Sequence, residues 1–185
     1  MSVKSDNWIK KRCLEHKMIE PFCHENLTKG TISFGPSSYG YDIRIADDFK
    51  IFNAPKDVII DPKNVSSDYF QNIKAELCIV PANSFVLARS LEYFRIPRNI
   101  LGLSVGKSTY ARAGLIVNVT PLEPEWEGYL TICINNTSSN PVKIYANEGI
   151  SQIIFLEADE HCQVSYKDKK GKYQTQKEIT LSKIK

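Results

Sequence analysis

Residues 106–112 read Gly106-Lys107-Ser108-Thr109-Tyr110-Ala111-Arg112, the densest polar cluster in the chain. Lys107 and Arg112 supply charge, and Ser108 and Thr109 supply hydroxyls. If a short helix starts here, its unpaired N–H groups also face an anion. These are the donors of a phosphate cradle. The same residues equally suit an ordinary polar turn capping a helix. The Gly-Lys-Ser ending is superficially that of a P-loop. The first glycine of that motif is missing, because position 101 is Leu, and no βαβ alternation surrounds it. A P-loop NTPase is therefore excluded.

Two further segments carry candidate chemistry. Pro121-Leu122-Glu123-Pro124-Glu125-Trp126-Glu127-Gly128 sets three acids beside a large aromatic ring in a proline-stiffened loop. A carboxylate there can accept a sugar hydroxyl. The plainer alternative is a solvated turn with Trp126 packed on the core. Near the C-terminus, Tyr166, Lys172, Tyr173 and Gln176 mix phenol, cation and amide. Such a segment can close over phosphates, or it is simply a disordered basic tail. The three histidines, His16, His24 and His161, have no metal-ligand spacing, and the zinc-deaminase signature is absent. No Gly-x-Ser-x-Gly nucleophile elbow occurs.

The elements that must position these residues are short. After a candidate helix near Trp8, Ile9, Cys13 and Leu14, capped by Ser5 and ending before Pro21, the pattern turns to β-type runs between turn residues. The expected strands are 43–52, 58–60, 77–80, 84–88, 102–105, 115–120, 129–134, 142–145, 150–156 and 163–166. Many short strands with one or two short helices predict a mostly-β barrel or double sheet. With 42% hydrophobic and 24% charged residues, a core needs neither disulfides nor metal. The five cysteines form no Cys-x-x-Cys pair, which argues against a disulfide framework or zinc ribbon. No secretory h-region and no membrane-length apolar run occur, so a reducing cytoplasm is expected. A net charge of +3 without a basic block argues against nucleic acid as partner. One domain over 1–185 is expected, with 167–185 a mobile C-terminal segment that closes over a ligand.

The ordered set of motifs is similar to the dCTP deaminase family. It includes Ser37-Ser38-Tyr39-Gly40-Tyr41-Asp42, Asp61-Pro62-Lys63-Asn64 and Glu92-Tyr93-Phe94 with Ile96-Pro97. It continues through Gly106 to Arg112, Val117 to Pro121, Glu123 to Gly128, Lys143 to Gly149 and Gly171-Lys172-Tyr173. The resemblance spans nearly the whole chain. It implies a distorted β-barrel or jelly roll of the dUTP pyrophosphatase-like type, assembled as a homotrimer with sites between subunits. It implies zinc-independent hydrolytic deamination of dCTP to dUTP, with Mg2+ carried on the triphosphate. By position, Lys107, Ser108, Thr109, Tyr110, Ala111 and Arg112 fall in the segment that binds phosphates and orders the attacking water. Thr120 lies on the strand facing the cytosine, Thr131, Ile132 and position 133 are among the nucleotide-binding residues, and Glu123 takes the sugar 3′-hydroxyl. Gln152, Tyr166, Lys172 and Gln176 complete and close the triphosphate site.

One position departs. The family strand reads Thr-Leu-Glu-Phe-Ser-Asn, and its Glu activates water for attack at C4. Here the strand reads Thr131-Ile132-Cys133-Ile134-Asn135-Asn136. Cys133 stands where the general base belongs, and a thiol among apolar neighbours is a poor base. Ser108 and Arg112 complete the implied catalytic group. Three readings follow: a dCTP deaminase slowed at this position, a deoxynucleotide-binding relative without turnover, or a dUTP pyrophosphatase using Glu123. Glu123 or Glu125 are the alternative bases. If the strand is regular, Thr131, Cys133 and Asn135 share one face, near Ser108 and Arg112.

Overall fold

The computed structural model describes residues 1–184. Two short antiparallel strands, β1 (Ser2–Val3) and β2 (Ile19–Glu20), flank helix α1 (Asp6–His16). Ser5 holds the N-cap position in extended conformation without a side-chain cap bond, and Lys17 ends the helix in the left-handed region. Ile9 and Cys13, four residues apart, are buried, as helical spacing requires. Leu14 lies off that face and is 68% exposed, which corrects its expected place in the helix–core contact.

Most of the remaining elements are β-strands. After β3 (Gly35–Ser37) comes the long β4 (Gly40–Phe52), then β5 (Phe70–Lys74), β6 (Leu77–Val80), β7 (Phe85–Arg95) and β8 (Ile100–Gly106). A single helical turn, α2 (Ser108–Ala111), leads to β9 (Leu115–Asn118), β10 (Glu127–Asn136), β11 (Val142–Tyr145) and β12 (Gly149–Glu157). Ten of these strands form one curled sheet running β1-β12-β4-β7-β10-β9, with β2, β3, β5 and β8 paired beside that path. β6 and β11 form a separate two-stranded sheet. The expected mostly-β class with two short helices is what the chain adopts.

Two expected strands do not form. Residues 58–60 lie in an irregular loop, with Ile59 92% exposed, so three β-branched residues without a pairing partner gain nothing from extension. Residues 163–166 form a turn instead of a strand, because Asp168 and Ser165 bond to each other locally.

The strands that carry the site obey period two closely. Along β10, Gly128, Leu130, Ile132, Ile134 and Asn136 are buried, while Tyr129, Thr131, Cys133 and Asn135 are half-buried on the opposite face. Ile132 and Ile134 are fully inside, each worth about 1.5–3 kcal/mol of apolar burial. They share the core with Val86 and Ala88 of β7 and Phe49 of β4. A bulge between Tyr129 and Thr131 interrupts the β7–β10 ladder. The Leu130 N–H freed there donates to Ser90 Oγ at 2.8 Å, and Ser90 Oγ donates to the Glu92 carbonyl at 2.7 Å. Glu92 is itself fully buried and takes the Arg44 Nε–H at 2.7 Å. The register that aims Thr131 and Cys133 is thus fixed by buried polar contacts.

Candidate functional site

The half-buried face of β10 opens into a cavity of about 620 Å³. Thr131 and Cys133 form its floor, with Asn118 of β9 directly across from Cys133 in the ladder. On the other side Cys133 pairs with Leu87 of β7. One wall is the turn Val119-Thr120-Pro121-Leu122-Glu123 with Trp126, and a deeper apolar wall comprises Phe52, Phe70 and Phe85. The Phe52 and Phe85 rings stack at 4.5 Å. Tyr166, Lys172, Tyr173, Gln176 and residues 180–182 cover the cavity from the C-terminal segment.

That segment is fastened to the acidic loop and β10 by backbone-directed bonds. Tyr166 N–H donates to the Pro124 carbonyl at 3.0 Å, and the Trp126 indole N–H donates to the Tyr173 carbonyl at 2.9 Å. Gln174 Nε2 reaches the Glu125 carbonyl at 3.0 Å, and Tyr129 N–H donates to the Gln176 carbonyl at 3.0 Å. Gln176 Nε2 and Thr180 N–H both donate to Thr131 Oγ1 at 3.1 Å. Two glycines make the fit. A Cβ on Gly171 would lie 2.1 Å from the Tyr166 ring. Gly128 has φ +147 and would place a Cβ 3.1 Å from the Gln176 backbone.

Several expected site residues therefore meet in one cavity: Thr120, Glu123, Thr131, Cys133, Tyr166, Lys172 and Gln176. Thr120 sits just past the end of β9, not on the strand as expected, because the ladder to β10 stops at Asn118. Among the described residues, Glu123 is the only carboxylate lining the cavity, and its Oε2 lies 2.5 Å from Lys169 Nζ. Glu125 points elsewhere, paired with Arg98 at 2.6 Å, which removes it as a cavity base. Burial pushes the Cys133 thiol up from its ordinary range, opposed in part by the Asn135 amide 3.5 Å away. A thiol so placed is neutral near neutral pH and accepts protons poorly.

The remaining expected residues do not line this cavity. Ile132 faces the core. Lys107 is drawn inward: its ammonium donates to Asp42 at 2.6 Å and Ser33 at 2.8 Å and is only 12% exposed. Gln152 joins the same cluster, donating to Ser37 at 2.8 Å and Asp42 at 3.1 Å. Tyr110 is buried, its hydroxyl taking the Tyr145 N–H at 3.2 Å, and burial pushes its pKa up to about 12. Ser108, Thr109, Ala111 and Arg112 are exposed on the outer side of α2. Ser108 and Arg112 are thus separate from the Cys133 cavity within one chain. Asn118 and Tyr173, which lie within the motifs, also join the cavity, and so does Thr180, which carries no sequence signal. No group of three His, Cys, Asp or Glu side chains among the described residues is arranged to hold a metal ion.

Fold and cavity define a small-molecule-binding β protein in which the C-terminal segment forms part of the pocket's own wall. The model of the dCTP deaminase-like family matches residues 3–158, and the chain belongs to that family. It is 60% identical over 184 residues to a dCTP deaminase of Herpetosiphon aurantiacus, covering 100% of both chains. It is 58% identical to a dCTP deaminase of Campylobacter jejuni, covering 100% of this chain and 99% of that one. Among solved structures it is similar to a 2′-deoxycytidine 5′-triphosphate deaminase from Agrobacterium tumefaciens, with a TM-score of 0.62 at 12% identity. That likeness covers 83% of this chain and 47% of that one, and concerns the fold.

Proposed function

We propose that this protein is a dCTP deaminase that hydrolyses dCTP to dUTP and ammonia, slowed by the thiol at its base position. The observation that carries the reading is the β10 register. It puts Thr131 and Cys133 on the floor of the cavity whose rim holds Thr120, Glu123 and the closing segment. In the reaction, water adds to C4 of the cytosine and the amino group leaves. A side chain must take the water proton and return one to the amine. Cys133 occupies that place, and its neutral thiol performs the first step poorly. Thr131 and Thr120 offer hydroxyls to the base, and Glu123 takes the sugar 3′-hydroxyl. Tyr166, Lys172 and Gln176 reach over the phosphates. Magnesium arrives as part of the substrate, on the triphosphate oxygens, and neutralises charge there.

The phosphate-binding donors Ser108, Thr109 and Arg112 come from a neighbouring subunit of a homotrimer. Support comes from their exposure away from the cavity and from the exposed apolar side chains Leu103, Val105 and Ile116 on adjoining strands. A cytoplasmic location fits five free thiols, and among the described residues no helix is long and apolar enough to cross a membrane.

A second reading, deoxynucleotide binding without turnover, is favoured by the raised Cys133 thiol. One assay decides. Purified protein is incubated separately with dCTP and dUTP in the presence of Mg2+. Formation of dUTP supports the deaminase, and binding without product supports the second reading. Release of pyrophosphate and dUMP would instead indicate a dUTP pyrophosphatase built on Glu123. A monomeric mass in solution would defeat the trimer.

A further inference from the structure

Among the side chains that bridge the acidic loop and the closing segment, Arg98 is anchored on a third element. Arg98 sits in the tight turn between β7 and β8, where Ile100 N–H donates to the Pro97 carbonyl at 3.1 Å. That turn is tied to the acidic loop: Ile96 N–H donates to the Trp126 carbonyl at 2.9 Å, and Glu125 N–H to the Ile96 carbonyl at 3.0 Å. From this rigid base the guanidinium forks. Nη1 donates to Glu125 Oε2 at 2.6 Å. Nη2 lies 2.8 Å from Asp168 Oδ2 and donates to the Gln163 and Cys162 carbonyls at 3.1 and 3.3 Å.

Asp168 is not a casual partner. Its carboxylate also takes the Ser165 N–H at 3.0 Å, and its own N–H donates to Ser165 Oγ at 3.1 Å. Ser165 is buried, so Asp168 staples the turn whose next residue is Tyr166. Tyr166 in turn accepts the Tyr173 N–H on its hydroxyl at 3.1 Å and packs against Gly171. The chain of contacts runs from a fixed turn, through one cation, into the segment that carries Lys172 and Gln176. Residues 158–175 belong to no strand and Gln176 makes a single bridge to Gly128, so side-chain anchors add to a few backbone bonds in setting where the segment rests.

We infer that Arg98 is a positioning residue for nucleotide capture: its fork locks the Ser165–Asp168 turn onto the Glu125 loop and so holds the closing segment over the cavity. The inference rests on the proposed nucleotide site but makes a claim that can be tested without nucleotide. A planar guanidinium suits the task because it reaches two carboxylates on different segments at once, which a lysine ammonium does less well.

The test uses the full chain as wild type, Arg98→Ala, Arg98→Lys, Asp168→Asn and the Arg98→Ala/Asp168→Asn double variant. Hydrogen exchange of the nucleotide-free proteins should show faster exchange at Tyr166, Lys169 and Gly171 in Arg98→Ala, with β10 amides unchanged. Calorimetry and stopped-flow with dCTP and Mg2+ should show binding weakened on the order of 5-fold, the scale of an exposed charge pair, and expressed in the dissociation rate. Arg98→Lys should recover part of the loss. The double variant should be no worse than the worse single one, because both remove the same link. Unchanged exchange over 162–176 in Arg98→Ala, or additive losses in the double variant, would overturn the inference. Loss of protection across β10 as well would also overturn it, since Arg98 would then support the whole fold. If wild type fails to bind dCTP, the proposed function falls, and the exchange comparison still decides the role of Arg98. Should Arg98→Ala fold poorly, Arg98→Lys and Asp168→Asn carry the same comparison.

Discussion

The cavity around Cys133 and the cluster around Asp42 both hold polar side chains that belong to sequence motifs, yet the fold uses them in opposite ways. At Cys133 the half-buried face of β10 meets a covered cavity and the side chains look into open space. At Asp42 the motif's lysine is consumed internally, with Lys107 and Gln152 both spent on one nearly buried carboxylate and Ser33 Oγ taking a second bond from Lys107. Only the outer residues of that motif, Ser108 and Arg112 among them, stay exposed. A cluster that reads as one binding loop is thus divided between an internal brace and a surface available to another molecule.

The largest effect that would sharpen this contrast is on stability. Lys107→Ala leaves Asp42 nearly buried beside an amide and no cation, and should cost about 3–5 kcal/mol in chemical denaturation. A loss of dCTP affinity with full stability would instead return Lys107 to the phosphate site. Next comes the cavity side. Cys133→Glu should raise dCTP deamination roughly 10²-fold or more, the usual worth of a placed general base, measured as dUTP formed per enzyme. If that variant binds dCTP and stays inert, the cavity has diverged beyond one position. If the Cys133 protein is already fast, Glu123→Gln is the variant that should abolish turnover.

Arg112→Ala should behave unlike Lys107→Ala. Its guanidinium is exposed, so the melting temperature should hold while dCTP binding weakens by about 1.5–3 kcal/mol, the range for a charged hydrogen bond. Equal melting losses for both variants would erase the distinction between brace and surface. The smallest effect concerns acid. Hydrogen bonds from Ser165 and the Arg98 side chain hold the Asp168 carboxyl below its ordinary value. A depressed folded-state pKa stabilises above the unfolded value of about 3.9 and is lost as pH falls through the folded one. Release of the closing segment, followed by Trp126 fluorescence, should therefore occur only below the usual aspartate range. Release near neutral pH would mean that another group holds it.

The sequence made strands legible where alternation is strict. Period two along 129–134 assigned Thr131, Cys133 and Asn135 to one face, and the bulge preserved that assignment because Ser90 pairs the displaced Leu130 N–H. Val58, Ile59 and Ile60 carry the same β-forming residue types but find no partner strand, which local propensity cannot reveal. Trp126 packs on the core as the loop's plainer reading expects, 6% exposed, and it also lines the cavity wall. The inward turn of Lys107 is not legible in sequence because Asp42 is distant along the chain, and a charged residue's destination depends on partners brought in by tertiary pairing. Arg98 gave no signal, since Pro97-Arg98-Asn99 reads as any polar turn.

The two hydrogen bonds on Thr131 Oγ1 have a further consequence for selectivity among ligands. Gln176 and Thr180 belong to the same chain as Thr131, so they act as tethered competitors, with effective concentrations on the order of millimolar. A small ligand that reaches this oxygen by exchanging one bond for another gains little from the swap. Only a ligand with many additional contacts along the cavity and its rim can displace them and still bind tightly. A pocket closed in this way would discriminate by ligand size, with its own tail as the reference against which every entrant is weighed.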